Sequence, residues 1–581
     1  MKKITKALLV LLMAGAGFLA CKDDFLDRPP IGGLDETTLA NAKGVDATLI
    51  GAYSLLDGWA QGWGNGAVWT SAASNWVYGG ICGGDAHKGS DASDQPAVNP
   101  IERYEGLADN EYFRGKWRVV YDGVARSNSV LKLAVKATDI SASGLKQVQA
   151  EARFLRGHYH FEAKRMWNMV PYIDETITDY KVANDKDIWP NIEADFKFAY
   201  DNLPETQAQV GRINKWAAAA MLAKTYMYQK KYNDAKPLLE TIIANGKTSN
   251  GLKYGLNDLY ADNFQIATKN NKESVFVVQT SVNDGADGEN GNYGDVLNFP
   301  YTGGPGECCG FYQPSQELVN SHRTDKNGLP LLDGSYNLAA NEVKSDQGIP
   351  SDKDFTPDAG NLDPRLDWSV GRRGIPYLDW GPHPGQAWIR DQAYSGPYAP
   401  KKHVFKKSEK GSGSTASGWA QGASANNVNL IRFADILLWA AECEVEIGSL
   451  AKAQEYVNLI RKRAANPAGF VKTDAGKNAA NYVIDVYKTA WTDKNVARNA
   501  VQFERKLELA MEGHRFFDLV RWGVADVVLN AYIAYESKLR PGLVGARFTK
   551  GKAEYFPIPR QEIVASSKDG KPTLTQNPGY N

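Results

Sequence analysis

The stretch that most constrains the fold lies near the carboxy terminus, from Gln502 to Gly523, QFERKLELAMEGHRFFDLVRWG. Phe503, Leu507, Ala510 and Met511 recur at spacings of three and four, the period of one helix face. Glu504, Glu508 and Glu512 follow one another every fourth residue, and Arg505, His514, Arg515 and Asp518 add more charge than a solvent face needs. Phe516, Phe517, Leu519, Val520 and Trp522 then crowd one or two turns. A helix this apolar and this charged is expected to be buried on several sides with its charges paired, because a lone buried charge is too costly to keep. The carboxylate row could also be read as an active site. Acid–base hydrolysis sets two carboxylates across a cleft, not three in a line on one helix, so the structural reading is preferred.

The same helical period recurs along the chain. Residues 35 to 57 read as a helix marked by Leu39, Val45, Leu49, Tyr53 and Leu56. A second is expected over 112 to 135 and a third over 147 to 169, stopped by Val170-Pro171. Three more fit residues 189 to 245. Small residues on one face and aromatics on the next, as from Trp216 to Tyr226 and then Tyr232 and Ala235, are how a tetratricopeptide helix pair packs, although no strict repeat recurs. A further helix pair is read over 428 to 465, with Ile431 to Leu438 opening it and Gly448 between its members. Between 250 and 425 the texture changes: Ser274 to Gln279 is a short strand, Gly and Pro are frequent, and no long helix pattern appears. A loop-rich segment of that size inside a compact protein is usually functional. The expected fold is therefore mainly α, a tetratricopeptide-like helical-repeat scaffold with a large mixed insertion.

Several of these segments carry a resemblance. Glu504-Arg505, Glu508-Leu509, Glu512-Gly513, Arg515, Asp518-Leu519 and Arg521-Trp522-Gly523 match, in order, the carboxy-terminal signature of the SusD/RagB family, the outer-membrane nutrient-binding lipoproteins of Bacteroidetes. Glu151 to Arg156 with Val170-Pro171 resembles a second family motif, with His160 where the family usually has Tyr. Ile431 to Leu438, Leu459 to Ala464, Asp363-Pro364-Arg365-Leu366, Phe556 to Pro559 with Glu562, and Gln576 to Tyr580 resemble others. The resemblance covers essentially the whole mature chain. It implies a SusD-like amino-terminal helical region over 35–249, the loop-rich insertion over 250–425 and a carboxy-terminal SusD/RagB helical region over 426–581.

Met1 to Ala20 reads as a targeting segment. Lys2, Lys3 and Lys6 precede an apolar run, Ala7 to Leu19, that is too short to span a membrane comfortably. Cys21 follows directly, which suggests cleavage there and lipidation of Cys21, although Phe18 and Leu19 depart from the usual lipobox. Residues 21–34 then form a tether, and Lys22-Asp23-Asp24 resembles the signal that sends lipoproteins of Bacteroidetes to the outer face of the outer membrane. The whole chain balances 67 basic against 67 acidic residues, so no basic excess draws it to nucleic acid. Fifteen Trp and 28 Tyr are more than packing requires, and both suit sugar faces or protein interfaces.

The resemblance implies a binding protein and no enzyme: it captures oligosaccharide at the cell surface and delivers it to a SusC-like TonB-dependent outer-membrane transporter. A surface glycoside hydrolase with a facing carboxylate pair, and a binder of a non-sugar nutrient such as peptide, are the alternatives. No H-E-x-x-H, G-x-S-x-G, EF-hand loop or zinc spacing is present, and no cofactor is expected. Asp85, Asp91, Asp94 and Glu102 are candidate calcium ligands, but an acidic glycine-rich loop says little alone. His158 and His160, two apart, point to different sides of a helix and do not share a metal.

The candidate ligand residues lie outside the helical repeats. Trp59, Trp63, Trp69, Trp76 and Tyr78 sit among or just beyond glycines from Gly58 to Gly66 without helix or strand period, and are expected on a shaped surface. Cys308 and Cys309 are adjacent. In an oxidising compartment they can close a vicinal disulfide, a flat apolar plate for a sugar's C–H face; unpaired thiols, or pairing with Cys82 or Cys443, are the other options. Arg372 and Arg373, followed by Tyr377, Trp380 and Trp388, suggest an arginine fork beside indoles. The expected ligand surface thus joins Trp76, Asp85, Asp91, the Cys308–Cys309 ring, Arg372 or Arg373, and Trp388.

Overall fold

The computed structural model describes residues 36–60, 66–286, 288–415 and 422–580. The targeting segment, Cys21, the tether and Trp63 lie outside the described residues. The helices begin where the sequence offers a side-chain oxygen to the first unpaired N–H groups. Asn41 caps α1 (Ala42–Ser54), Asn110 caps α2 (Glu111–Ala134) and Ser141 caps α3 (Ala142–Trp167). After α4 (Trp189–Asn202), Asn214 caps α5 (Lys215–Tyr228), which α6 (Tyr232–Asn245) follows.

Successive helices pack on one another, α1 on α2, α2 on α3, α3 on α4, α4 on α5 and α5 on α6. Ala217 to Ala220 are all buried, and their small side chains let α5 approach its neighbours closely. The array then continues across a long gap in the chain. Helix α6 packs on α7 (Phe433–Ile447), and α7 and α8 (Leu450–Ala464) both pack on α9 (Lys494–Glu508). The fold is thus mainly helical with repeat-like helix pairings.

The intervening region contributes short elements only. Strand β1 (Ala86–Lys88) pairs with β3 (Tyr312–Pro314), β2 (Ser274–Val278) with β6 (Val428–Arg432), and β4 (Val370–Gly371) with β5 (Ala399–Pro400), all antiparallel. One hydrophobic core runs through the helices and under these loops, with a small satellite around Ile375, Val471 and Tyr482.

Two sequence expectations are corrected. The segment read as opening a helix at 428 is instead strand β6, because Ile431 and Val428 lie opposite Phe276 and Val278 of β2; the helix starts at Phe433. The stretch from 502 to 523 is not one helix. Helix α9 ends at Glu508, and the chain turns through Met511 at φ 64° and Gly513 at φ 71° before α10 (Arg515–Trp522) begins. A Cβ on Gly513 would stand 1.9 Å from the Ser74 carbonyl oxygen, so the turn requires glycine in both conformation and space. Helix α11 (Ala525–Glu536) follows.

The carboxylate row is buried and paired, as the sequence implied. Arg365 reaches Asp363 at 2.7 Å, Glu504 at 2.6 Å and Glu508 at 3.0 Å. Arg432 reaches Glu273 and Glu512, each at 2.9 Å, and also Glu508. Arg461 holds Glu504 at 2.9 Å, Arg463 holds Glu273 at 3.2 Å and Glu508, and Lys402 holds Glu512 at 2.7 Å. Five cations face five carboxylates in this network. Burial alone would raise the pKa of Glu508, but the guanidiniums of Arg463, Arg432 and Arg365 hold it well below the usual carboxylate range. Glu508→Gln leaves three buried guanidiniums short of one charge. It should lower the unfolding free energy by about 3–5 kcal/mol, read by urea denaturation. A midpoint equal to wild type would show that the network does not hold the fold.

Candidate functional site

Cys308 and Cys309 are joined by a disulfide. Cys309 is buried and Cys308 partly exposed, so one edge of the ring faces solvent. The backbone around it is fixed by hydrogen bonds rather than by regular structure. Cys309 and Phe311 both donate to the Leu297 carbonyl, at 3.3 and 2.9 Å, and Gly310 donates to Phe299 at 2.7 Å. The chain leaving β1 then closes on this loop: Gly89 donates to Phe311 at 2.8 Å and Ser90 to Gly310 at 2.7 Å. A Cβ on Gly89 would sit 1.7 Å from the Gly310 carbonyl oxygen, so the two segments can meet only through glycine.

Asp91 lies beside this contact. Its carboxylate accepts from the Ser93 hydroxyl at 2.7 Å, the Ser93 amide at 2.8 Å and the Asp94 amide at 3.0 Å, and meets Arg390 at 2.8 Å. The Ser93 hydroxyl leads the groups that hold its pKa below the ordinary value. Arg390 also binds Asp94 at 2.7 Å and lies over the ring of Tyr301, 5.1 Å from its centroid. Tyr301 in turn donates its backbone N–H to the Trp388 carbonyl at 3.0 Å. The Trp388 ring is covered by Gly303 and Gly304, and stands edge-on to Tyr377 and His383 at 5.4 and 5.1 Å; it is 7% exposed. The segments carrying Asp91, the Cys308–Cys309 ring and Trp388 are therefore joined through the Ser90–Gly310 bond, Arg390 and Tyr301, but the Trp388 ring expected as a stacking platform is itself buried.

The remaining expected residues do not reach this surface. Trp76 is 1% exposed, with its indole N–H donated to the Gly294 carbonyl at 3.0 Å. It is a strut beneath a loop, not a stacking platform. Asp85 is buried and accepts from the Met511 amide at 3.0 Å; burial pushes its pKa up to about 6. Arg372 is closed on Asp367 by two bonds, at 2.6 and 2.9 Å, so its fork faces a carboxylate of the fold. Arg373 donates to the carbonyls of Ile349 at 3.2 Å, Ser351 at 3.0 Å and Lys353. Each is held in place by a backbone or carboxylate partner that no sequence spacing announces. The acidic residues weighed for calcium are likewise engaged elsewhere, Glu102 on His87, and Asp91 and Asp94 on Arg390. Among the described residues no group of three His, Cys, Asp or Glu side chains is placed to hold a metal.

A second aromatic surface emerges from the glycine-rich stretch. Trp59 pairs with Tyr293, ring centroids 5.0 Å apart, and both are partly exposed. Tyr293 precedes Gly294, so buried Trp76 holds the loop that presents it. Trp69 is buried. Sequence reasoning missed Tyr293, Tyr301 and Arg390; the only available signal was their place in glycine-rich or loop sequence, shared with many other residues.

Comparisons with known proteins agree on one family. The SusD family model matches residues 272–580, and a second model, described as starch-binding associating with outer membrane, matches residues 81–227. A SusD-like protein of Formosa agariphila is 25% identical over 570 residues, which are 93% of each chain. A second from the same organism is 22% identical over 590 residues that span both chains fully. A solved laminarin-binding SusD-like protein has a TM-score of 0.66 at 23% identity, over 93% of this chain and 100% of that one. Surface glycan-binding protein A from Bacteroides thetaiotaomicron, in complex with laminarihexaose, has a TM-score of 0.63 at 20% identity, over 92% and 99%. At these identities the solved structures show a shared fold.

The site loop depends on an anchor at the base of β1. His87, buried, meets Glu102 at 2.9 Å through Nδ1 and Glu536 at 3.1 Å through Nε2. Burial alone would lower its pKa, but the two carboxylates outweigh burial and raise it from 6.5 to about 9. A raised histidine pKa stabilises the fold fully below the unfolded value, and the contribution is lost as pH rises through the folded value. Stability should therefore fall by a few kcal/mol between pH 6.5 and about 9, measured by chemical denaturation, and His87→Gln should flatten that limb. Parallel wild-type and variant profiles would refute the anchor.

Proposed function

The chain belongs to the SusD family, and from that premise we propose that it is a cell-surface glycan-capture lipoprotein. It binds oligosaccharide and passes it to a SusC-like TonB-dependent transporter in the outer membrane. Cys21 is the lipidated residue in this reading and holds the protein at the outer membrane, facing the exterior. Among the described residues no helix is long and apolar enough to cross a membrane, and a lipid anchor would supply the attachment. Tethering also lets modest contacts with the transporter suffice. The successive helix pairs act as a tetratricopeptide-like scaffold that holds the loops.

The observation that carries this reading is the meeting of Asp91, the Cys308–Cys309 ring, Tyr301 and Arg390 beside Trp388, with the Trp59–Tyr293 pair as a second exposed aromatic surface. A sugar offers apolar C–H faces and fixed hydroxyls. Tyr301 and the exposed edge of the disulfide ring supply flat apolar partners, and the paired Asp91 and Arg390, unlike the buried Arg372–Asp367 pair, offer their solvent-facing polar edges to hydroxyls. The Trp388 carbonyl holds the Tyr301 backbone. The buried Trp76, Asp85, Arg372 and Arg373 position loops and do not contact the ligand.

Calorimetry against a panel of soluble glycans tests this, with laminari-oligosaccharides first because one solved neighbour is a laminarin-binding protein and another is in complex with laminarihexaose. Tyr301→Ala or a Cys308→Ser/Cys309→Ser double variant should weaken binding about thirtyfold, roughly 2 kcal/mol, with the fold intact. Glycan chain length should stay unchanged on long incubation; shortening would favour the hydrolase alternative. If both variants and Trp59→Ala bind within twofold of wild type, the surface is wrong. Separately, Cys21→Ala should move the protein from the outer-membrane fraction to the soluble one, and retention in the membrane would defeat the anchor.

A further inference from the structure

A small polar cavity of about 20 Å³ lies between α3, α5 and the turn after α9, lined by Asn75, His158, Glu162, Arg165, Lys224 and His514 among others. A second chamber of about 20 Å³ shares Asn75, His158 and Glu162 with it and adds Lys116. Four polar atoms of the lining residues have no hydrogen-bond partner among the described residues: Asn75 Oδ1, His158 Nδ1, Arg165 Nε and His514 Nε2. Asn75, His158, Arg165 and Lys224 are all more than nine-tenths buried, while His514 is partly exposed and stands at the rim.

The charges here do not balance. Lys116 and Arg165 share the Glu162 carboxylate, at 3.4 and 2.7 Å. Lys224 makes a cation–π contact with Phe161, 5.5 Å from the ring centroid, and meets no carboxylate within ion-pair distance among the described residues. The adjoining cluster pairs Arg505 and Arg521 with Asp435, Asp518 and Glu442. Burial and the neighbouring Arg165 lower the Lys224 ammonium to about 8, still charged at neutral pH, against the through-space pull of Glu162, Asp435 and Asp518. Together Lys116, Arg165, Lys224, Arg505 and Arg521 are five cations against four carboxylates. Glu512, also at the cavity, is already matched within the separate arginine network. His158 and His514 do not add charge near neutral pH, since burial lowers them to about 3 and about 4.

We propose that this cavity is a site for one monovalent anion of chloride or bromide size, held by the Lys224 ammonium and the Arg165 Nε–H, with His158 and His514 as neutral N–H donors. Asn75 can join them, because its amide nitrogen makes only long contacts, 3.4 Å to Ala73 and 3.5 Å to Glu162, and its orientation is interchangeable. Water in the same place would satisfy hydrogen bonds but leave one buried positive charge uncompensated. The space takes one water or one small ion and excludes sulfate or a carboxylate ligand. The ion sits where the scaffold helices meet the Ser74–Asn75 segment that leads into Trp76, so it would stiffen the junction beneath the loops.

Crystals of the whole chain soaked in sodium bromide test the site directly. An anomalous peak in the cavity, within contact of Lys224 Nζ, is the expected result. Thermal unfolding at constant ionic strength, exchanging gluconate for chloride, should show a midpoint rise of about 2 °C that saturates with concentration. Lys224→Met should lose both effects. A cavity without anomalous signal in the wild-type crystal, or a midpoint indifferent to chloride, means that water fills it and overturns the proposal. A bromide peak that persists in Lys224→Met overturns the assigned donor.

Discussion

Glu508 is the point on which the molecule is assembled. It ends helix α9 and receives guanidiniums from Arg365 on the 363–366 turn, Arg432 on strand β6 and Arg463 on helix α8. These residues come from parts of the chain that share no local structure, so the pairing brings scaffold and insertion together. A buried ion pair is no guarantee of net stability, since desolvation offsets most of the attraction. Its consequence here is geometric. An arginine left without its carboxylate would cost several kcal/mol, which disfavours alternative arrangements of these segments. Many of the motif residues that mark the family, Glu504, Arg505, Glu508, Glu512, Arg365 and Asp518, belong to this network or to the cluster beside it.

From that centre, order is relayed outward to the loops. Glu512 is held by Arg432 and Lys402, and the Met511 amide is held by Asp85. Gly513 packs against Ser74, and two residues on Trp76 supports the Gly294 carbonyl. Tyr293 then stands against Trp59 at the surface. A second relay runs from His87 through β1 and β3 to the Cys308–Cys309 loop. Loops with little regular structure are therefore positioned by buried polar anchors, which suits a binding surface that must be preorganised without a lid of helices.

The helical scaffold was largely legible because helix packing leaves a local record. Asn110 and Asn214 cap helices near their expected starts, Ser141 opens α3 at Ala142 ahead of the expected 147, and the alanines of α5 announce a close approach. The boundaries that failed are those where tertiary pairing overrode periodicity. Val428 to Arg432 has a pattern compatible with a helix, but β2 offered it a partner strand. The apolar period through Ala510 and Met511 continued past Glu508, yet the Gly513–Ser74 contact broke the helix. At the site, Trp76 and Trp59 carry the same chemistry and similar glycine-rich surroundings, and nothing local separates the buried strut from the exposed ring.

The sequence by itself determined the family, the helical class, the pairing of the Glu504–Glu508–Glu512 row and the adjacency that permits the Cys308–Cys309 ring. The family follows from the resemblance of its motifs, and the others from spacing within a few turns or from covalent neighbourhood. Only the tertiary structure decided which aromatic and charged residues face solvent. Arg372 and Arg390 are equally good forks as side chains; Arg372 is closed on Asp367, while Arg390 bridges Asp91 and Asp94 at the surface. That distinction rests on partners far away along the chain or across a turn, and a side chain's availability to a ligand is whatever those partners leave over.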